Sequence, residues 1–282
     1  MAINMGGPEA GLIRMTDKEF ETLTSFIKKE YGIDLTKKRT LIEGRLTHEL
    51  NKRGLTSFGQ YLDIVFKDKQ GAEVTLLLNK LTTNHSFFLR ENEHFEYLHD
   101  NVLPYLEQIR GRTKDLRIWS AGCSTGQEPY NIAMVVDEYF GNRKSSWDAT
   151  ILATDISMNV LGKARQAIYT AEDLKDMSSQ WKMKYFTKMP DGNFQVNERI
   201  RKEVVFKSFN LMDSFSFKKP FDLIFCRNVM IYFDADTKAS LVNKFYSVTA
   251  DGGYFFIGHS ESIGNQQTHY SYIQPAVYQR RG

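Results

Sequence analysis

Leu116-Arg117-Ile118-Trp119-Ser120-Ala121-Gly122-Cys123-Ser124-Thr125-Gly126-Gln127-Glu128-Pro129-Tyr130 holds the transition on which the fold turns. Leu116, Ile118 and the bulky Trp119 predict a buried strand. Gly122 and Gly126 break it, with only small residues between them. Pro129 and the apolar Ile132, Ala133, Val135 and Val136 predict a helix directly after. Strand, tight glycine turn and helix form the opening unit of a nucleotide-type binding fold. Glycine lets a backbone approach a ligand where a Cβ would collide, which makes Gly122 a candidate contact. The spacing is G-x-x-x-G and not G-x-G-x-x-G, so a plain strand-to-helix turn is the competing reading.

Further along the chain strands and helices alternate, the signature of a mostly parallel α/β sheet. Leu116–Ser120, Thr150–Thr154, Val204–Phe209, Leu223–Cys226 and Tyr254–Gly258 are the strand candidates. In open parallel sheets ligands bind beyond the carboxyl ends of the strands. Asp155, Asn210, Leu211, Arg227 and Asn228 follow such ends. An acid after the second strand suits ribose hydroxyls, although Asp155 lies farther from the glycine turn than is usual. The alternative for Asp155 is the N-cap of a helix through Ile156 and Val160. Between residues 168 and 202 the pattern changes. Trp181, Tyr185, Phe186, Phe194 and Val196 surround the turn signal Pro190-Asp191-Gly192, so an inserted helix-plus-hairpin subdomain is expected there.

The preceding part reads as helices only. Thr16 and Glu19 make a capping-box pattern ahead of Phe20, Leu23, Ile27 and Tyr31, and Gly32 suits the stop. A second helix is expected from Thr36 to Arg53. A third is capped by Ser57 and a fourth runs from Ala72 to Leu81. On the second helix Lys38, Arg45 and Lys52 recur every seven residues, bordered by Arg39 and Arg53, with Glu43 and Glu49 on neighbouring faces. Two readings compete: a solvated helix face and a docking surface for an acidic partner. The expected organisation is a flexible tail over 1–15, a helical domain over 16–85, a linker helix over 86–111 and an α/β domain over 112–282 with 168–202 inserted.

The 282 residues, 41% hydrophobic and 25% charged, are ordinary for a globular protein. A formal charge of +3 is too small to imply nucleic-acid binding. Cys123 and Cys226 provide no disulfide framework, and a reducing cytosol is the simple reading. No apolar run is long enough to span a membrane, and the first residues lack the pattern of a signal peptide. His94 and His99 are five residues apart, wrong for one helical face, so no metal site is expected.

Four stretches together carry a resemblance: Leu81 to Glu91, Ser120 to Tyr130, Phe225 to Phe233 and Gly258 to Glu261. With them the chain, from about Thr16 to Tyr278, resembles the CheR family of chemotaxis receptor glutamate O-methyltransferases. Cys226-Arg227-Asn228-Val229-Met230-Ile231-Tyr232-Phe233 is the most specific string. The resemblance implies a helical N-terminal domain and a Rossmann-like methyltransferase domain with a small inserted β-subdomain. It implies S-adenosylmethionine as cofactor, S-adenosylhomocysteine as product, and cofactor contacts from Asn84, Ser86, Arg90, Glu128, Asp155, Asn210, Leu211, Arg227 and Asn228. Ser86 keeps the hydroxyl of a position that relatives can fill with threonine, and Cys123 stands at a variable small position. The implied partners are cytoplasmic helices of membrane-embedded chemoreceptors, met by a monomer without nucleic acid or membrane insertion.

The chemistry agrees with a sequence that offers no convincing base, nucleophile or metal cluster. A glutamate side chain, with a pKa of about 4.3, is already an anion near neutral pH. The site has to exclude water, orient the carboxylate and bind the cofactor. Phe87, Phe88 and Tyr232 are candidates to wall a sulfonium by cation–π contact, with core packing the alternative for the two phenylalanines. Arg90 is a candidate partner for a carboxylate, and Arg90 and Tyr232 are the expected catalytic residues. Lys38, Arg39, Arg45, Lys52 and Arg53 are the expected docking set. The rival readings are a methyltransferase acting on another carboxylate, a small molecule or RNA, and a cofactor-binding sensor without activity.

Overall fold

The computed structural model describes residues 12–68, 71–82, 86–264 and 268–281. The expected tail over 1–15 lies outside the described residues through position 11. The chain divides into two compact units, Met1–Thr83 and Asn84–Gly282.

The first unit is helical: α1 Asp17–Tyr31, α2 Arg39–Lys52, α3 Phe58–Lys67 and α4 Ala72–Leu81. The Thr16 hydroxyl accepts from the Glu19 N–H at 3.2 Å, and the Glu19 carboxylate accepts from the Thr16 N–H at 2.8 Å. Two orphan donors of the first turn are thereby satisfied. Gly32 ends α1 in the left-handed region. The Asp34 carboxylate accepts from the Thr36 backbone and hydroxyl. This turn delays α2 to Arg39, three residues later than the sequence pattern suggests. Leu23, Ile27, Ile42, Leu46, Leu50, Phe58, Tyr61 and Leu77 form the buried interior.

The second unit opens with α5 Glu93–Tyr97, a π turn Leu98–Val102 and α6 Leu103–Arg110. There follow β1 Ile118–Ala121, α7 Gln127–Phe140, β2 Ile151–Asp155 and α8 Met158–Gln166. Next come β3 Ile168–Tyr169, α9 Ser179–Tyr185, β4 Phe186–Lys188, β5 Phe194–Val196 and α10 Glu198–Arg201. The chain closes with β6 Val204–Ser208, β7 Phe221–Cys226, α11 Ala235–Val248, β8 Thr249–Ile257, β9 Ser271–Gln274 and β10 Val277–Gln279. Seven strands make one sheet in the order β6-β2-β1-β7-β8-β10-β9. The pairs β6–β2, β2–β1, β1–β7 and β7–β8 are parallel, and the β8–β10 and β10–β9 pairs are antiparallel. The mostly parallel α/β class is what the alternation predicts, whereas the β9–β10 edge pair has no counterpart in that reading.

The insert is a three-stranded antiparallel sheet in the order β3-β5-β4. The expected hairpin is β4–β5, and the two-residue β3 adds a third strand. Tyr185 and Phe186 anchor this sheet in the core, where Phe186 meets Phe88 edge-on at 5.3 Å. Phe88 is therefore a core residue, 1% exposed. Trp119 is wholly buried and donates its indole N–H to Thr154 Oγ1 at 2.9 Å. Phe209, Phe215, Phe217, Phe221 and Phe245 ring it.

Candidate functional site

The sheet order reverses between β1 and β7, and the loops at the carboxyl ends of β1, β2, β6, β7 and β8 lie along one edge. Such a reversal leaves a crevice for ligands. After β1 the chain turns at Gly122, φ 80°, where a Cβ would overlap Val229 Cγ2. At Gly126, φ 94°, a Cβ would come within 2.9 Å of the Ala164 Cβ. The two glycines thus answer to the protein's own packing in addition to any ligand. The Thr154 carbonyl accepts from both the Gly122 and Cys123 N–H groups at 2.8 Å, which ties this turn to β2.

Asp155 ends β2. Its carboxylate accepts from the Ser124 and Ser157 N–H groups, each at 2.9 Å. The N-cap of α8 is Ser157, which accepts from the Val160 N–H, so the alternative of Asp155 as that cap does not hold. Burial pushes its carboxyl up from the usual range, against the pull of the backbone donors. It is half-buried.

Arg227, directly after β7, is the centre of the charge arrangement. Its side chain is 3% exposed. Nη1 donates to Glu128 Oε2 at 3.2 Å; Nε and Nη2 donate to Glu91 Oε2 at 3.3 and 3.0 Å; Nη2 also donates to the Arg90 carbonyl. The guanidinium lies 5.3 Å from the Phe95 ring centroid. Glu128 stands in the first turn of α7, and its other oxygen accepts from the Ser120 hydroxyl at 2.7 Å. Burial raises the Glu128 carboxyl and Arg227 only partly offsets it. For Glu91, burial acts upward, but Arg227 and the Asn228 amide outweigh it and hold the carboxyl below its usual range. Arg227 gives Glu91 two hydrogen bonds and Glu128 one.

Asn228 adopts a left-handed conformation, φ 58°, an unusual one for a residue other than glycine. Its amide donates to Glu91 Oε1 at 3.2 Å. A buried carboxylate holds the loop around it. Glu261 accepts from the N–H groups of Asn228 at 2.9 Å, Met230 at 2.6 Å and Gly258 at 2.6 Å. The loop after β7 is thus tied to the loop after β8. Burial nevertheless raises the Glu261 carboxyl. The short 3-10 turn Met230–Tyr232 follows, with Tyr232 half-buried.

Among the sequence-derived candidates, Gly122, Asn210, Leu211, Arg227 and Asn228 lie on these strand-end loops, Asp155 ends β2 and Glu128 stands at the start of α7. Leu211 is buried, and Asn210 Oδ1 accepts from the Met212 N–H at 3.0 Å. Arg90 is half-buried, and its carbonyl serves Arg227. The Ser86 carbonyl accepts from Gln127 Nε2 at 3.3 Å. Asn84 lies outside the described residues. Sequence reading missed Glu91 and Glu261 as individual residues. Both fall inside the stretches that carry the resemblance, but their partners lie up to 137 residues away.

The docking candidates belong to the helical unit. Glu43 and Glu49 are buried there. Glu43 accepts from Arg14 and from the Met15 N–H. Arg53 pairs with Glu49 at 2.7 Å and Glu73 at 2.8 Å. Arg45 donates to the Lys80 and Leu81 carbonyls, and Arg39 to Asp17. The three arginines brace the bundle, whereas Lys38 and Lys52 are exposed.

No described helix is long and apolar enough to cross a membrane. Residues 84–278 match the family described as CheR methyltransferase, SAM binding domain, and residues 18–82 match CheR methyltransferase, all-alpha domain. A chemotaxis protein methyltransferase of Borreliella burgdorferi is 42% identical over 95% of this chain and 96% of its own length. A probable chemotaxis protein methyltransferase of Rhizobium etli is 38% identical over 86% and 92%. The chemotaxis protein methyltransferase of Escherichia coli is 35% identical over 94% and 92%.

Proposed function

Because the chain belongs to the CheR methyltransferase family, we propose that it transfers methyl groups from S-adenosylmethionine to glutamate side chains of chemoreceptors in the cytoplasm. The products are glutamate methyl esters and S-adenosylhomocysteine. The observation that carries this reading is the set of polar and charged side chains, Glu128, Asp155, Arg227 and Asn228, gathered beyond the carboxyl ends of the parallel strands.

The donor set suits S-adenosylmethionine, which combines a ribose diol, an amino-acid end and a sulfonium. The half-buried carboxylate of Asp155 is suited to ribose hydroxyls. Glu128, held by Arg227, is suited to a cationic amino group, and Arg90 to a carboxylate. Ser86, Arg90, Asn210, Leu211 and Asn228 complete the proposed cradle, with Asn84 assigned by resemblance only. When bound, S-adenosylmethionine supplies a methyl carbon activated by its sulfonium.

The chain's own contribution is orientation and exclusion of water. The accepting glutamate arrives ionised, so no residue of the chain has to remove a proton. Arg90 and Tyr232 are proposed as the catalytic residues, Arg90 through its contact with the cofactor. Holding the carboxylate in one attack geometry lowers the entropic part of the barrier.

Methyl-ester formation on purified receptor fragments tests the whole reading. Base-labile methyl label on receptor glutamates is the expected result. Label on RNA or on a small carboxylate only would replace the substrate, and cofactor binding without any transfer would favour the sensor reading.

Asp155→Ala should weaken binding of S-adenosylhomocysteine by about 1–3 kcal/mol, the usual cost of leaving polar partners unpaired. Asp155→Asn, which keeps one acceptor for Ser124 or Ser157, should lose less. Calorimetry on folded Asp155→Ala protein giving wild-type affinity would take Asp155 out of the cofactor site.

Receptor docking is assigned to the basic side of α2. Its exposed lysines, and not its bracing arginines, are the place to test it. Receptor helices rich in glutamate would meet Lys38 and Lys52 with opposite potential. An exposed pair contributes about 0.2–1 kcal/mol, so Lys38→Ala/Lys52→Ala should raise the receptor KM about two- to tenfold. Cofactor affinity should stay unchanged. Salt should narrow the gap, because exposed charges are screened beyond about 8 Å at physiological strength. Equal receptor KM values at low salt would mean that this face is only solvated.

A further inference from the structure

One group of side chains is assigned no contact with cofactor or substrate in the proposed methyl transfer, although its Glu91 also pairs with Arg227. The Glu91 carboxylate and the His94 and His259 imidazoles each bring one ligand atom within 4.8 Å of the others. They come from three segments: the turn before α5, α5 itself and the loop after β8. The sequence test for a histidine pair on one helix cannot find such a set, because His94 and His259 are 165 positions apart.

His94 supplies the second, independent observation. It is 1% exposed, and neither ring nitrogen has a hydrogen-bond partner. Buried polar atoms left unpaired are uncommon in native proteins and call for an explanation, an ion among them. Glu91 Oε2 stands 3.6 Å from His94 Nδ1, too far for a hydrogen bond. The His259 ring crosses His94 at 76° with centroids 4.5 Å apart, and Phe256 closes another side at 5.5 Å. His259 is exposed and gives an entry path from solvent.

We propose that Glu91, His94 and His259 form a binding site for a borderline divalent transition-metal ion of the zinc class. Two imidazoles and one carboxylate suit zinc, cobalt or nickel, whereas magnesium and calcium select oxygen ligands. Three protein ligands leave further positions to water. Arg227 shares Glu91 Oε2 at 3.0 Å and opposes the ion's charge, so the site is weaker than a closed structural zinc site. The proposal does not depend on methyl transfer.

Cobalt(II) is the probe, added to chelator-stripped, tag-free full chain. One equivalent should give visible ligand-field absorption, and zinc should displace it. His259→Ala changes an exposed residue, so its melting curve should match the wild type, while its cobalt affinity should fall at least tenfold. His94→Gln should lose the same absorption. Absence of ligand-field bands at stoichiometric cobalt in the wild type, or unchanged affinity in folded His259→Ala, overturns the proposal.

Discussion

Arg227→Met is expected to lower the stability of the unit 84–282 by about 3–5 kcal/mol and to weaken cofactor binding at least about a hundredfold, or about 2.8 kcal/mol. Arg227 is the cation shared by Glu91 and Glu128, and its side chain is almost wholly buried. Methionine keeps much of the stem's packing but leaves two carboxylates without their counter-charge. Removing one partner of a buried ion pair costs far more than the pair contributes, because the other charge stays desolvated. The pH dependence follows in sign. In the wild type Glu91 is held below its usual pKa, so its contribution is present above the unfolded value and is lost as pH falls through the folded one. In the variant, burial acts on Glu91 and Glu128 unopposed by Arg227 and raises both. The deficit then grows as pH rises above about 4.3 and shrinks towards acid. Urea unfolding at pH 7.5 and pH 5.5 reads it out. A deficit that is below about 1 kcal/mol, or equal at the two pH values, contradicts the shared-cation arrangement.

Glu261→Ala should have the next largest effect, about 3 kcal/mol or more on stability together with a marked loss of cofactor affinity. Its carboxylate accepts from the N–H groups of Asn228, Met230 and Gly258. Each donor left buried and unpaired costs about 1–3 kcal/mol, partly recovered if water enters. Asn228 holds its left-handed conformation next to this clamp, and a released loop has reason to leave that region. Glu261→Gln keeps the shape but turns its amide NH2 towards one of the donors, so it should fall between wild type and alanine. Thermal melts and titration with S-adenosylhomocysteine on the three proteins give the ranking. Alanine behaving like the wild type in both would show that the loop holds itself.

The legible parts of this protein were those written in short-range patterns. The strand, glycine turn and helix around Gly122 read correctly because burial, conformational freedom and helical period change within fifteen consecutive residues. The capping box at Thr16 and the stop at Gly32 are equally local. The edge strands β9 and β10 escaped because they are short, four and three residues, and their turn uses Ala276 at φ 63° where glycine is the usual signal. On α2 the heptad spacing located the basic residues but not their partners. That Glu43 points at Arg14 and the Met15 N–H, and Arg53 at Glu73, depends on the packing of helices distant in sequence. Glu91, Glu261 and His94 stayed unassigned for the same reason. A carboxylate or imidazole acquires its role from what faces it, and here much of that is more than thirty residues away.

The strand order also sets when this protein can begin to work. Ile118 in β1 pairs with Leu223 in β7, 105 positions later (223 − 118), and the clamp on Asn228 waits for Glu261. Contacts this far apart must close a long loop before they return any stability, which makes such sheets slow to form. The helical unit ends at position 83, so none of its internal contacts spans more than that stretch, and during synthesis it is expected to fold first. A nascent chain emerging from the ribosome would then carry a finished bundle for more than a hundred residues before β7 and β8 arrive. Cofactor affinity should arise in one late step, once residue 261 is free to fold, and not build up gradually with chain length.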